Sequence, residues 1–178
     1  MKKIFIFIWE TIKIVIISLA IIIPVRYYLI QPFFVRGASM TPNFDNGQYL
    51  VIDEISYRFE EPEREEVVVF KYPLDTSQYY IKRIVGLPEE TVEIKDGQVI
   101  IYNQNHPQGM ILDESPYLAD GTITWGETKI ELAQDEYFVL GDNRQASSDS
   151  RQWGGLAEEY IIGRVWLRAW PFNLAEVF

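Results

Sequence analysis

The chain has 178 residues, 48% hydrophobic and 15% aromatic, so it can bury one hydrophobic core but hardly two. It contains no cysteine, which excludes disulfide bonds, a thiol nucleophile and zinc–thiolate sites. Its 26 acidic residues outnumber the 16 basic ones, and the net charge of −10 would repel nucleic-acid phosphates. We therefore expect a single domain that has no nucleic acid among its partners.

Residues 1–30 predict a membrane anchor. Their longest uncharged run, Ile14 to Val25, is shorter than the roughly 20 apolar residues that a bilayer core requires. The span reaches that length from about Trp9 to Ile30 if Lys13 extends to the interface or pairs with Glu10. No small-x-small site follows the apolar run cleanly, which disfavours a cleaved signal peptide, and a buried soluble helix would not be apolar on nearly every face. The lysines near the start favour a cytoplasmic N-terminus.

The remainder, residues 31–178, predicts a domain rich in β-strands. Short runs of β-branched and aromatic residues alternate with proline and glycine, as in strands separated by turns. Asp96-Gly97 stands between two such runs and is a strong signal for a two-residue hairpin. The predicted strands cover residues 49–52, 66–70, 79–85, 91–95, 98–102, 136–140 and 161–170. We expect a mostly β fold: a single barrel-like all-β domain with large loops, preceded by one N-terminal transmembrane helix.

One stretch, residues 103–133, interrupts this pattern. It is rich in Asn, Pro, Gly and Asp, and we interpret it as a loop excursion or a small subdomain, called the excursion below. The only histidine, His106, lies there between Asn105 and Pro107, which favours an exposed loop residue. The sequence therefore disfavours a Ser-His-Asp triad, and a serine nucleophile would need a different base.

A lysine can be that base. A Ser-Lys pair does the same chemistry once the amine is neutral, which requires burial among apolar groups to lower its pKa. Lys82 lies in the apolar run 79–85, where strand alternation puts it on one face with Tyr80 and Ile84 while Arg83 points the other way. The alternative is an edge strand, where a lysine discourages aggregation.

The candidate nucleophile is Ser39. It follows Gly37-Ala38 and precedes Met40-Thr41-Pro42. Small residues before it would let a peptide backbone approach closely, and the proline rigidifies the turn after it. An ordinary turn serine could have the same neighbours, so this motif alone leaves both interpretations open.

A polar loop at residues 141–151 supplies further candidates. The Ser147 hydroxyl can hydrogen-bond an amine, and Asp149 with Arg151 can form a salt bridge that fixes the loop. The spacing of acidic residues in this loop does not match an EF-hand, so we predict no metal site.

Taken in order, these motifs resemble bacterial type I signal peptidases. The resemblance rests on three segments: Ser39-Met40-x-Pro42, Lys82-Arg83-Ile84-Val85-Gly86-Leu87-Pro88, and Gly141-Asp142-Asn143-Arg144-x-x-Ser147-x-Asp149-Ser150-Arg151 with Trp153-Gly154 after it. It covers essentially the whole chain. The single anchor and the short excursion are similar to the compact forms found in Gram-positive bacteria.

The resemblance implies a serine endopeptidase that removes signal peptides from exported preproteins, after small residues one and three positions before the cleaved bond. Ser39 would be the nucleophile and Lys82 its general base, with Ser147 orienting the lysine and Asp149 and Arg151 holding the site. The resemblance also implies no cofactor. It implies a substrate cleft lined by Phe33, Val35, Met40, Phe44, Tyr80 and Ile81.

Four features depart from the family's pattern. Gly47-Gln48, Asn43 and Pro88-Glu89-Glu90 differ at turns rather than at chemical groups. Gly37 stands where some members carry a serine hydroxyl that faces the oxyanion. The backbone N–H of Ser39 would then provide more of the oxyanion stabilisation.

The implied protein is single-pass in the cell membrane, with a cytoplasmic N-terminus in residues 1–30 and an extracytoplasmic peptidase domain over residues 31–178. Its partners would be exported preproteins and the lipid bilayer. One alternative is a catalytically inactive anchored relative that binds preproteins or pilins as a scaffold. Another is an anchored β-rich binding module without protease ancestry. Intact Ser39 and Lys82 argue against the first, and three motifs in order argue against the second.

Overall fold

The computed structural model describes residues 2–28 and 30–178. Within these ranges the helices and strands are, in chain order, α1 (Lys2–Tyr28), β1 (Ile30–Phe34), β2 (Tyr49–Asp53), β3 (Val67–Tyr72), β4 (Asp75–Gly86), β5 (Thr91–Lys95), β6 (Gln98–Tyr102), β7 (Met110–Ile111), β8 (Thr128–Glu131), β9 (Glu136–Leu140), α2 (Ser150–Trp153), β10 (Leu156–Ala157), β11 (Ile161–Trp170) and β12 (Glu176–Val177).

Helix α1 presents an apolar surface on all sides. Every described side chain in residues 2–23 is exposed, and the stretch Lys2–Ile23 has a hydropathy of 2.4 and is long enough to cross a membrane. Lys13 Nζ lies 2.8 Å from Glu10 Oε1, so the charge within the span is paired. Helix α1 continues to Tyr28, and Ile30, the last residue of the predicted span 9–30, pairs with Asp53 as the first residue of β1.

Two antiparallel sheets form the rest of the protein. The larger has the strand order β1-β2-β11-β3-β4-β9-β10, with β12 also paired to β11, and the smaller has the order β7-β6-β5-β8. The prediction of a mostly β fold is confirmed, but in the described residues neither sheet closes into a barrel. The β5–β6 hairpin belongs to the smaller sheet with β7 and β8, and the end strands of the larger sheet, β1 and β10, are not paired with each other in the described residues.

The predicted strands are all present. Four have the predicted bounds, and the hairpin turn has positive φ at both Asp96 (51°) and Gly97 (80°), as a type I′ turn requires. The excursion, 103–133, contributes β7 and β8, which flank this hairpin and complete the smaller sheet. It is therefore joined to the rest of the domain by backbone pairing.

Alternation along β3 divides the core of the larger sheet. Val67 and Val69 enter a cluster that also holds Met40 and Phe44, so this core supports the turn after β1. The intervening side chains of β3 enter a second cluster on the opposite face. A third cluster packs the smaller sheet against the ends of β4 and β9; its residues are Val85, Val92, Ile94, Val99, Ile101, Leu112, Leu132, Phe138 and Leu140.

Candidate active site

Strand β4 carries Lys82 into the interior. β4 pairs with β3 on one side and, from Arg83 onward, with β9 on the other, and the exposed fraction of Lys82 is 3%. Tyr80 and Ile84 pack in one apolar cluster on the same face, and Lys82 Nζ lies 5.2 Å from the centroid of the Tyr80 ring. Because its amine is removed from solvent, Lys82 is not an exposed edge residue that discourages aggregation.

The buried amine contacts the serine of the first motif. Lys82 Nζ lies 2.8 Å from Ser39 Oγ and donates a second hydrogen bond of 2.8 Å to the carbonyl oxygen of Ile81. The turn that presents Ser39 is held from below by Met40 and Phe44, each 1% exposed. These two residues anchor the turn in the core, so Ser39 is fixed against β4.

Burial lowers the pKa of Lys82 to about 8 from an ordinary 10.5. Desolvation of the charged amine is the largest cause, and the carboxylates of Asp149 and Asp142 act in the opposite direction by favouring the charged form. A lysine with this pKa is partly neutral near physiological pH. A neutral amine at 2.8 Å can accept the proton of the Ser39 hydroxyl.

Asp149 organises the polar loop. Its carboxylate is fully buried and accepts hydrogen bonds from Arg151 Nε (2.7 Å) and Arg151 Nη2 (2.8 Å), which form a bidentate ion pair. It also accepts a bond of 3.1 Å from the backbone N–H of Gly141. Asp149 thereby joins the start of the loop to its end.

Gly141 brings two hydroxyl-bearing residues together. A Cβ at this position would lie under 3.0 Å from both Ser147 Oγ and the Ser39 carbonyl oxygen, so only glycine allows this approach. Ser147 is 9% exposed, and its Oγ has no hydrogen-bond partner among the described residues. The predicted bond from Ser147 to Lys82 is thus not formed in this arrangement. Gly141 stands in the third motif of the sequence, but no role was predicted for it.

Asn143 is a second residue whose role the sequence analysis missed. Its Nδ2 donates to the Ala38 carbonyl oxygen and to Thr41 Oγ1, both at 3.0 Å, and its backbone N–H donates to the Ser39 carbonyl oxygen at 3.0 Å. One residue therefore holds the backbone at and before the candidate nucleophile, and the Thr41 side chain after it. Its place in the third motif was the only feature of the sequence that pointed to a role for Asn143.

Arg83 points away from Lys82, as strand alternation predicted, and binds the loop. Its Nε and Nη2 donate to the two carboxylate oxygens of Asp142 at 2.9 and 2.7 Å. Asn43, which the sequence analysis treated as a turn residue, donates to the same carboxylate at 2.8 Å. The buried Asp142 is thus satisfied by two separate segments.

A cleft of about 670 Å³ opens beside Ser39 and Lys82. Three of the six predicted substrate-binding residues line it: Phe33, Tyr80 and Ile81. The other three are instead buried in the core cluster beneath the turn: Val35, Met40 and Phe44. The segments 33–38 and 79–82, expected from the resemblance to flank the substrate, supply most of the lining, and four further lining residues were not predicted: Ser77, Gln78, Ala146 and Ser148.

The chain's histidine is remote from this arrangement in the topology. His106 is exposed in the β6–β7 loop, where its Nδ1 lies 3.3 Å from Asn103 Oδ1. Among the residues that the structure describes, no group of three or more histidine, aspartate or glutamate side chains is placed to hold a metal ion.

Comparisons with known proteins agree on one family. The family model described as signal peptidase, peptidase S26, matches residues 8–170. A probable signal peptidase I-2 of Synechocystis sp. is 34% identical over 89% of this chain and 72% of its own length. A signal peptidase I of Leptolyngbya laminosa is 33% identical over 92% of this chain and 80% of its own length.

Two further matches extend the comparison. Signal peptidase IB of Staphylococcus aureus is 29% identical over 88% of this chain and 86% of its own length. A solved signal peptidase I from Enterococcus faecalis V583 is 27% identical, covers 60% of this chain and 97% of that chain, and superposes with a TM-score of 0.48.

This mostly β chain has an N-terminal apolar helix, and the family match spans most of its length. The match identifies it as a hydrolase of peptide bonds. The chain belongs to the peptidase S26 family of signal peptidases. It is a serine endopeptidase of the signal peptidase I kind, and its activity is the removal of signal peptides.

Proposed function

We propose that this protein is a membrane-anchored Ser-Lys endopeptidase that cleaves exported preproteins after small residues at the positions one and three before the cleaved bond. The observation that supports it best is the contact of 2.8 Å between Lys82 Nζ and Ser39 Oγ, made by a lysine that is 3% exposed. A buried amine beside a hydroxyl is the pairing that activates a serine without histidine.

In the proposed mechanism, neutral Lys82 accepts the proton of the Ser39 hydroxyl as Oγ attacks the scissile carbonyl carbon. The backbone N–H of Ser39 donates to the oxyanion. Collapse of the tetrahedral intermediate breaks the C–N bond, and the Lys82 ammonium returns its proton to the leaving amine of the mature protein. Lys82 then deprotonates a water that attacks the acyl-enzyme, which releases the signal peptide with a free carboxylate and restores Ser39.

The cleft suits an extended substrate. Its walls come from residues 33–38 and 79–82, two segments between which a peptide can add as a β-strand. Phe33, Tyr80 and Ile81 present bulky side chains to it, which favours small substrate side chains near the cleaved bond. Val35, Met40 and Phe44 would influence this preference from below, by fixing the shape of the cleft floor.

Helix α1 would anchor the enzyme beside its substrate. Its exposed apolar surface matches a bilayer core, and Lys2 and Lys3 favour a cytoplasmic N-terminus. The domain over residues 31–178 would then lie on the extracytoplasmic side, where a translocated preprotein presents its cleavage site. Protease treatment of intact spheroplasts tests this orientation, because a cytoplasmic domain would be protected.

The catalytic proposal is tested by incubating detergent-solubilised protein with a preprotein and sequencing the N-terminus of the product. Ser39→Ala and Lys82→Ala should each remain folded and membrane-bound but lower turnover by several orders of magnitude, because nucleophile and base act as one unit. Near-normal turnover by Lys82→Ala would move the base elsewhere. A parent protein that neither processes a preprotein nor reacts with an acylating serine probe would instead be an inactive scaffold.

A further inference from the structure

The excursion contains a short turn that contacts the catalytic loop. This turn, residues 114–117, is closed by backbone hydrogen bonds from Tyr117 N–H (3.2 Å) and Leu118 N–H (2.9 Å) to the Glu114 carbonyl oxygen. Its two end residues, Glu114 and Tyr117, each face the loop that begins at Gly141. The turn is therefore a preformed element that reaches the site from outside the larger sheet.

Glu114 binds the catalytic loop through an ion pair with Arg144. The Arg144 guanidinium is buried, and its Nη1 and Nη2 donate to the two carboxylate oxygens of Glu114, the former at 3.0 Å. Arg144 Nη1 also donates to Thr124 Oγ1 in the excursion. The remaining donor, Nε, bonds the Gly141 carbonyl oxygen at 2.9 Å. One arginine thus joins the excursion to the glycine that packs against Ser39.

Tyr117 reaches the same loop by a second route. Its carbonyl oxygen accepts a hydrogen bond of 2.7 Å from Asn43 Nδ2, which also bonds Asp142 Oδ2 at 2.8 Å. The centroid of its ring lies 4.3 Å from the Arg83 guanidinium carbon, and Arg83 forms the bidentate pair with Asp142. The two routes therefore converge on consecutive residues, Gly141 and Asp142.

Stability alone does not explain this arrangement. The excursion is already attached by Leu112 and Leu132, which belong to the apolar cluster between the sheets. A buried ion pair such as Glu114–Arg144 typically adds little to stability compared with apolar residues of similar volume, because both charges lose their hydration. Ion pairs with fixed bidentate geometry do, however, define the positions of the groups they join. Here the group so positioned is Gly141, which contacts the Ser39 carbonyl.

We propose that the turn 114–117 is a positioning element of the active site: Glu114 through Arg144, and Tyr117 through Asn43, hold Gly141 and Asp142 so that the Ser39 backbone is set for attack. This inference rests on the proposed function of Ser39. Glu114 and Tyr117 are positioning residues, because they act through the loop and touch neither reacting atom. The excursion is thereby part of the catalytic apparatus.

The test compares Glu114→Ala with a matched control, Glu90→Ala. The Glu90 side chain is 8% exposed, against 13% for Glu114, and it likewise pairs with an arginine, Arg64, at 2.6 and 2.7 Å, but it hydrogen-bonds to no residue of the loop 141–151 among the described residues. For each folded variant, kcat and KM are measured on a preprotein, together with the rate of acylation by a small serine-directed probe and the unfolding temperature. The probe reports on Ser39 without requiring the extended cleft.

Glu114→Ala should lower kcat and the acylation rate together by about tenfold to a hundredfold, the usual effect of a misplacement near 1 Å, with KM changed less than about threefold. Glu90→Ala should lower the unfolding temperature while keeping parental kcat. Glu114→Gln, which retains one acceptor for Arg144, should recover most of the lost rate, and it decides the question if the alanine variant does not fold.

Parental kcat and acylation in folded Glu114→Ala would overturn the inference. Equal losses in the Glu114 and Glu90 variants would also overturn it, because they would show a general effect of stability. Failure of the proposed function is recognised separately, since the parent protein would then react with neither the probe nor the preprotein.

Discussion

Raising the pH from 6 to 9 should switch the enzyme on through a single titration at Lys82. With a pKa of about 8, about one hundredth of the amine is neutral at pH 6, about one tenth at pH 7 and about nine tenths at pH 9. If the neutral amine is the base, kcat/KM follows these fractions. It should rise about tenfold between pH 6 and 7 and level off near pH 9.

The assay is a pH–rate profile on one preprotein, with cleavage-site mapping to show that the same bond is cut throughout. The acidic limb of kcat/KM reports the free enzyme, so its midpoint should fall near the pKa of Lys82. Activity that peaks at acid pH, where Lys82 carries its proton, would refute the assignment of the base. A midpoint near 10.5 would refute the desolvation argument instead.

Protein stability provides an independent readout of the same group. The folded-state pKa of about 8 lies below the ordinary 10.5, so the unfolded chain binds the extra proton and stability rises with pH between these values. Below pH 8 the buried charge lowers the free energy of unfolding by about 3 kcal/mol, because each unit of pKa difference corresponds to about 1.4 kcal/mol. Lys82→Met should therefore abolish a pH-dependent gain of about 2–3 kcal/mol between pH 7 and 10. The gain is measured by chemical denaturation at pH 7 and pH 10 of two proteins, Ser39→Ala and the double variant Ser39→Ala with Lys82→Met.

Three further outcomes are expected. Gly141→Ala should destabilise the protein and cut kcat strongly, because the new Cβ would collide with Ser147 and the Ser39 carbonyl; unfolding and steady-state kinetics check it, and a parental rate would contradict the packing argument. Ser147→Ala should lower kcat without moving the cleavage site, because its hydroxyl packs at Gly141 beside the Ser39 carbonyl and does not line the cleft; kinetics with product sequencing separates the two effects, and parental kcat would contradict this role. His106→Ala should leave kcat within about threefold, because an exposed loop substitution is usually neutral; a thousandfold loss would revive a histidine mechanism.

Local signals in the sequence predicted the strands well. The hairpin at Asp96-Gly97 follows from two residues that accept positive φ, and the alternation in β4 correctly separated Lys82 from Arg83. Closure into a barrel, by contrast, depends on whether β1 and β10 pair, and these strands are far apart in the chain. Strand patterns carry little information on such long-range pairing, so the open sheets could not be predicted.

The supporting contacts of the site were hidden for a similar reason. Asn43 and the Tyr117 carbonyl are 74 residues apart, and Asn143 and the Ala38 carbonyl are 105 residues apart. Polar residues in turns have many possible partners, and nothing in their neighbours selects one. The turn after β1 also lacks strand alternation, so the sequence could not show that Met40 and Phe44 point into the core.

The register of β4 restricts how this enzyme can diversify over evolution. Lys82 and Arg83 are consecutive, and β3 fixes their faces by pairing Val68 with Lys82. A single residue deleted from 76–81 would move Arg83 into the place of Lys82, putting at Ser39 a guanidinium that keeps its proton and cannot act as a base, and a single inserted residue would turn Lys82 to the opposite face. Related sequences can therefore differ in the β3–β4 turn or lengthen it outward. An odd number of residues inserted within the paired strand would abolish catalysis, although the insertion lies away from the nucleophile.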